Sequence, residues 1–435
     1  MSRITIAFVG FTLALTGLWL LADTLPASAA GVTFGAAFTQ LTGILSVGMM
    51  GFATLLSIRP RWLEPTFDGL DKMYRLHKWL GIGGLSIGIV HWLTATGNGG
   101  GRNGAAPAAA AAATWQSWLA SFHGSAHGVG QPALFGLIAL AAVALIKWIP
   151  YRFFAKTHIL VAIAFFALAF HSIVLMKADY WAQPIGWATA FIVSVGVAAT
   201  FGSVLRRLGL RKQTNATVVS ATYYPELRVL ETTLTVDDTW PGHESGQFAF
   251  VTTDRWEGAH PYTIASAWDP SKKTVRFIAK ELGDHTAKLR ETFTQGRPAR
   301  LEGPHGRFAF DDDKPRQIWI GAGIGITPFV AKMRERAMTA EKTVIDLFHT
   351  TGDVSEAALA KMRADAVAAN VRLHINVSPK DGKLDGAKIR AAAPDWKDSS
   401  VWFCGPAGFG GSLRRDFTSA GLHGADFHQE LFQMR

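Results

Sequence analysis

The sequence predicts a multi-domain membrane protein: a six-helix transmembrane bundle, then a domain of antiparallel strands, then an α/β doubly wound domain. Three observations point there. Long apolar runs fill the chain to about Leu205, and charged, mixed segments take over from Arg206. Short alternating runs begin near Asn215. A strand–glycine–helix pattern around Gly321 then opens a series of alternating strands and helices. The expected boundaries are 1–210, 211–312 and 313–435.

Six runs come near the roughly 20 residues a helix needs to cross the hydrocarbon core. They are Ile4–Leu21, Thr33–Leu56, His77–Leu93, Val129–Ile149, Thr157–Met176 and Pro184–Leu205. Basic residues set the orientation. Arg59, Arg61, Lys72, Arg75 and Lys78 lie between the second and third runs, and Lys147, Arg152 and Lys156 between the fourth and fifth. Arg206, Arg207, Arg211 and Lys212 follow the sixth, whereas the opposite loops carry only Arg102 and Lys177. Both termini are expected in the cytoplasm, in a multi-pass protein of a bacterial-type inner membrane. Arg3, an apolar run and Ala27-Ser28-Ala29 also fit a cleaved signal peptide; the length of the run favours a retained helix. A Gly/Ala-rich outer loop, "GNGGGRNGAAPAAAAAATWQSW", separates the third and fourth runs.

The net charge of +10 does not imply nucleic acid, because many basic residues flank apolar spans and no nucleic-acid-binding motif is present. The single cysteine, Cys404, excludes an intrachain disulfide framework and a cysteine-rich iron–sulfur site.

Two of the apolar runs carry paired histidines: His77 and His91 in the third, His158 and His171 in the fifth. Ionisable groups inside a membrane demand a reason. The two runs point the same way, so His77 matches His158 in depth near the inner surface, and His91 matches His171 near the outer. Each pair is a candidate bis-imidazole site for one haem iron. A spacing of 14 returns to within about 40° of one helix face. A spacing of 13 misses by more, so the fifth span needs a bend, a π-turn or a different ring reach. In the outer loop His123 and His127, four apart, are either metal contacts or solvated histidines.

This pattern resembles the ferric reductase and NADPH oxidase superfamily, whose six helices carry bis-haem histidines 14 apart on the third and 13 apart on the fifth. The second half extends the resemblance over the whole chain. "AHPYTIASAWD" is similar to the family's His-Pro-Phe-Thr flavin strand, which implies flavin contacts from His260, Pro261, Tyr262, Thr263 and Ser266. "ELGDHTAKL" resembles its Gly-Asp-Trp-Thr stretch, implying that Gly283, Asp284, His285 and Thr286 meet the flavin pyrophosphate, with His285 in place of the aromatic. "LEGPHGRF" is similar to the strand that closes an antiparallel flavin-binding β-barrel.

In "RQIWIGAGIGITPFVAKMRERA" an apolar strand runs into Gly321, Gly323 and Gly325 and then a helix, with Thr327 and Pro328 in its first turn. Glycines let a phosphate approach the backbone at a helix N-terminus. The stretch resembles the nicotinamide-binding loop of ferredoxin-reductase-type domains. By the same resemblance Cys404, Gly405 and Pro406 lie beside the nicotinamide, Glu430 assists near the hydride path, and Phe432 stacks on the flavin. Thr350 and Thr351 offer hydroxyls to a 2′-phosphate, Asp353 repels it, and Lys380 and Lys383 compensate. The resemblance favours NADPH, with NADH the alternative.

It implies a transmembrane oxidoreductase that moves electrons from cytoplasmic NAD(P)H through FAD and two haem b groups to an acceptor outside. Ala95 stands where the oxidase branch places a further histidine, which favours a ferric chelate or another periplasmic acceptor over superoxide production from O2. The rivals are a membrane-anchored flavin reductase without haem and an electron donor to a partner membrane enzyme.

Overall fold

The computed structural model describes residues 3–22, 34–97, 114–146, 148–149, 151–207, 213–254, 258–282, 286–339 and 341–430. The chain divides into two compact units, one of helices and one holding the described strands. Ala27–Ala29, Arg102, Lys147, Arg211 and Lys212, all used above to set topology, lie outside the described residues.

The helical unit runs α1 (Arg3–Ala22), α2 (Phe34–Ser57), α3 (Leu70–Gly97), α4 (His123–Leu145), α5 (Tyr151–Thr157), α6 (Leu160–Leu175) and α7 (Pro184–Arg207), with shorter turns between. Five of these, α1 to α4 and α7, are long and apolar enough to cross a membrane. Leu13, Leu21, Ile163 and Phe191 point outward, as suits a lipid surround. Exposed Trp62, Trp115, Trp118 and Trp148 lie at or beyond helix ends, where an indole sits well at a membrane interface.

Three expected spans differ in detail. The third begins at Leu70 rather than His77, because Lys72 and Arg75 continue the helix beyond its apolar stretch. Long basic side chains extend toward water from a helix end, so they need not terminate it. The fourth runs from His123 to Leu145 rather than from Val129 to Ile149, so His123 and His127 stand on the first turns of a helix and not in the outer loop. The fifth span is not one helix: α5 ends at Thr157 and α6, 16 residues long, starts at Leu160. Between them the ladder tightens, with Val161 N–H donating to His158 O (3.1 Å) and Ala162 N–H to Ile159 O (3.0 Å).

Helices α2 and α3 approach closely. Ser46 Oγ donates to the Gly84 carbonyl at 2.8 Å, in the small-residue packing typical of helices without a hydrophobic driving force between them.

In the second unit, β1 (Thr214–Tyr224), β2 (Val229–Val236), β3 (Phe248–Thr252), β4 (His260–Thr263), β5 (Thr274–Lys280) and β6 (Pro298–His305) form an antiparallel sheet in the order β4-β3-β6-β1-β2-β5. Ile264, just past β4, bridges Phe277 on β5, so the two edge strands meet. Val218, Leu234, Ile264, Val275 and Phe277 fill the core between them.

The parallel sheet follows: β7 (Arg316–Ala322), β8 (Val344–Thr351), β9 (Arg372–Val377), β10 (Ser399–Cys404) and β11 (Phe427–Glu430), in the order β11-β10-β7-β8-β9. Helices α8 (Thr327–Arg336), α9 (Glu356–Ala368), α10 (Gly386–Ala392) and α11 (Ala407–Ser419) connect its strands. The strand order reverses between β7 and β10, and ligands of such sheets bind at that crevice. Glu231 on β2 accepts from Lys361 on α9 (2.7 Å) and Arg276 on β5 (3.0 Å), which ties the two sheets together.

Candidate functional site

The four membrane histidines come together in two pairs. His77 on α3 faces His158 in the α5–α6 turn with ring centroids 6.2 Å apart. His91, further along α3, faces His171 on α6 at 6.1 Å. Two imidazoles bound on opposite sides of one metal, at about 2 Å per bond, have centroids roughly 6 Å apart. Along α3 the pairs are separated by about 21 Å. The interrupted helix resolves the unequal spacing: His158 stands in the tightened turn rather than on the regular face of α6.

Three of the rings have their orientation fixed by main-chain carbonyls. His77 Nδ1 bonds Ala53 O at 2.8 Å, His91 Nδ1 bonds Thr39 O at 2.9 Å, and His171 Nδ1 bonds Ala126 O at 2.8 Å. A carbonyl only accepts, so each Nδ1 carries the proton and each Nε2 keeps its lone pair. A metal-ligating histidine has this arrangement, its second nitrogen donating to a carbonyl or carboxylate. Thr39 and Ala53 lie fourteen residues apart on α2, the same interval as His91 and His77 on α3. The donor set fits a bis-imidazole haem site at each depth.

Two glycines escaped the sequence reading. A Cβ at Gly130 on α4 would lie 2.5 Å from the His171 ring, and one at Gly43 on α2 would lie 3.2 Å from the His91 ring. Their signal was present: glycine inside a helix costs about 1 kcal/mol against alanine and invites a packing reason.

In the second unit the glycine-rich loop follows β7 as expected. Gly321 lies near the end of the strand, Gly323 takes a positive φ of 57°, and Thr327 and Pro328 open α8. A Cβ at Gly325 would come within 2.2 Å of the Cys404 carbonyl, so only glycine lets the loops after β7 and β10 interlock. That contact brings Cys404 and Gly405, with Pro406 next in the chain, beside the glycine loop. Glu430 is the register partner of Cys404 on β11, and both are buried. Burial and the Glu430 carboxylate push the Cys404 thiol well up, so it remains protonated at neutral pH. Phe432 lies outside the described residues, as do Gly283, Asp284 and His285.

His260, Pro261, Tyr262 and Thr263 make up β4 and pair with β3. Tyr262 is buried against Phe277 and Phe293, so its ring serves the strand core. Ser266 Oγ accepts from the Arg276 N–H at 3.1 Å, and the Ser266 carbonyl accepts from His243 Nε2 at 3.0 Å. Burial lowers the His243 pKa to about 4 and leaves it neutral. The sequence offered no motif for His243. Beyond β5, Thr286 Oγ1 accepts from the Leu282 N–H at 2.6 Å.

The hydroxyls expected to meet a 2′-phosphate are engaged within the protein. Thr350 Oγ1 donates to Asn376 Oδ1 at 2.9 Å, and Thr351 Oγ1 to Asp353 O at 2.9 Å. The Asp353 carboxylate pairs with Lys280 at 2.7 Å, which offsets the repulsion its sequence position suggested.

Residues 42–169 match the family described as ferric reductase like transmembrane component, and residues 213–339 match an FAD-binding domain. The chain joins a ferric-reductase-like transmembrane component to an FAD-binding module and so has the domains of a flavin-dependent membrane oxidoreductase. The first match takes in His77, His91 and His158 and stops two residues before His171. Among relatives, an NADPH oxidoreductase of Mycobacterium tuberculosis is 29% identical over 194 residues, covering 42% of this chain and 50% of that protein. A superoxide-generating NADPH oxidase heavy chain of Dictyostelium discoideum is 26% identical over 223 residues, 46% of this chain and 40% of that one. The chain thus spans about half the length, or less, of these curated relatives. Among solved structures, the ferredoxin reductase in carbazole 1,9a-dioxygenase aligns at a TM-score of 0.43 and 18% identity, covering 51% of this chain and 69% of that chain.

Proposed function

We propose that the protein takes hydride from NADPH on the cytoplasmic side and hands single electrons to an acceptor on the outer face, a ferric chelate in preference to O2. The observation that carries this reading is the pair of histidine pairs at matched ring spacing, one above the other along α3. When bound, FAD and two haem b groups supply the conversion of a two-electron donor into single electrons and their passage across the membrane.

The chain's own residues bind and orient these groups. His77 and His158 hold the inner iron, and His91 and His171 the outer. The carbonyls of Ala53, Thr39 and Ala126 fix three of the ring planes and raise the basicity of the opposite nitrogens. The β4 segment from His260 to Thr263 offers its edge to the flavin in a closed barrel, and the stretch Gly283–Thr286 meets the flavin pyrophosphate. Gly321, Gly323 and Gly325, with the N-terminus of α8, receive the nicotinamide dinucleotide phosphates. Cys404, Gly405 and Pro406 form the wall beside the nicotinamide. The neutral Cys404 thiol packs there rather than attacking, and Glu430 lies next to it. Pairing of Asp353 with Lys280 removes one repulsion that a 2′-phosphate would otherwise meet.

An anaerobic visible spectrum of the detergent-purified protein, before and after NADPH, tests this. Two b-type haems that become reduced support the reading. Flavin that reduces in a preparation without haem would replace it with a membrane-anchored flavin reductase.

A further inference from the structure

Two imidazoles stand outside both pairs. His123 opens α4, and His127 follows one turn later with its ring centroid 6.3 Å from that of His123. His127 lies 6.4 Å from the ring of His171. His127 thus neighbours both His123 and the His171 ring, and it is exposed while His123 is half-buried. His123 and His127 stand at i and i+4 on one helix, the placement from which two imidazoles reach one metal ion. Gly124 and Gly128 follow the two histidines, and a Cβ at either would meet nothing within 4 Å. The face beside the rings is therefore open enough for an ion that arrives with ligands of its own.

We propose that His123 and His127 bind the acceptor: a labile transition-metal ion, ferric or cupric, that retains its remaining ligands from its chelate. This rests on the reading above, that electrons leave at the His91–His171 end. Imidazole suits iron, copper, zinc and nickel. Two protein ligands alone give a weak, exchangeable site, which is what a substrate requires and a resident metal does not. The step is a one-electron transfer: Fe(III) becomes Fe(II), or Cu(II) becomes Cu(I), and NADPH is the ultimate reductant. No protein bond forms or breaks.

Zn(II) is the probe, because imidazole binds it and it has no redox chemistry. The tag-free, full-length protein in detergent is compared with H123Q/H127Q, first by equilibrium dialysis against Zn(II) and then by NADPH-driven reduction of ferric citrate. Variant preparations are used only where their visible spectrum matches the wild type, which marks an intact bundle. The wild type binds a Zn(II) that the double variant holds roughly tenfold or more weakly. Zn(II) competes with ferric citrate in the wild type, and KM for ferric citrate rises in the variant more than kcat falls. Equal Zn(II) binding by the two proteins overturns the proposal. So does a loss of Zn(II) binding that leaves KM for ferric citrate unchanged. Zn(II) binding needs neither haem nor flavin, so a haem-free wild type would refute the electron path while the dialysis result stays readable.

Discussion

His91 and His171 face each other across α3 and α6 with ring centroids 6.1 Å apart, and each donates its Nδ1 proton to a main-chain carbonyl. Both Nε2 lone pairs are thereby reserved for a ligand between the helices. Fourteen residues earlier His77 likewise donates its Nδ1 proton to the Ala53 carbonyl and faces His158 at 6.2 Å. Apolar side chains alone would pack two membrane helices without such devices, and the geometry fits the iron centre proposed at each depth.

The pairs should be separable. His91→Leu removes one ligand of the second pair and leaves the first untouched, so haem content falls to about half, since imidazole ligation holds the iron. His77→Leu should do the same for the other centre, and His77→Leu/His91→Leu should abolish haem. Pyridine haemochrome assays on membranes of equal protein content provide the check.

Gly130 and Gly43 predict graded effects. Alanine at 130 drives a Cβ to 2.5 Å from the His171 ring, while alanine at 43 reaches 3.2 Å from His91. Overpacking of this kind typically costs about 1–3 kcal/mol. Gly130→Ala should shift the midpoint potential or occupancy of one haem and spare the other. Gly43→Ala should do so less. A redox titration followed at the haem α-band distinguishes them.

At the nucleotide site, Gly325→Val forces the β7 and β10 loops apart, because a Cβ there meets the Cys404 carbonyl at 2.2 Å. A displacement of about 1 Å at a reacting centre can cost about a hundredfold in rate. Stopped-flow reduction by NADPH should slow by about that factor, with flavin content retained.

Lys280→Ala tests the choice of nicotinamide. It frees the Asp353 carboxylate, now paired at 2.7 Å, to repel a 2′-phosphate. KM for NADPH should rise several-fold while KM for NADH changes little, and the NADPH effect should shrink in high salt.

His243 makes the reductase unit acid-sensitive. Its folded pKa of about 4 lies below the ordinary 6.5, because burial disfavours the charged ring. Above about pH 6.5 both folded and unfolded chains hold it neutral, so full stability is present. As pH falls toward 4 the unfolded chain takes a proton that the folded one refuses, and stability drops by roughly 3 kcal/mol. His243→Gln should make that acid limb shallower, with buried His349 accounting for part of what remains. Thermal release of flavin from the full-length protein at pH 7 and pH 5 measures it.

Much of this was legible in the sequence because periodic patterns and glycine turns act locally. Gly321 to Gly325 with Pro328 announced a strand–loop–helix, and the chain folds so. The matched depths of the four histidines followed from the shared direction of the two runs and the rise per residue. What stayed hidden depends on contacts between distant residues. The carbonyls of Thr39, Ala53 and Ala126 carry no residue-type signature. The break at His158-Ile159 lies within a run with no proline or glycine to mark it. Lys280 and Asp353 are 73 residues apart, so the pairing that neutralises Asp353 was invisible. The role expected for Tyr262 at a flavin edge met a competing demand, since its ring fills the core beside Phe277.

The most direct test of the central claim is the haem-to-polypeptide ratio of the purified wild-type protein, read with low-temperature EPR of the ferric state. Two low-spin, bis-imidazole haems per chain are expected, one lost in His91→Leu and the other in His77→Leu. A wild-type ratio of zero, or a single haem that survives both substitutions, would contradict it.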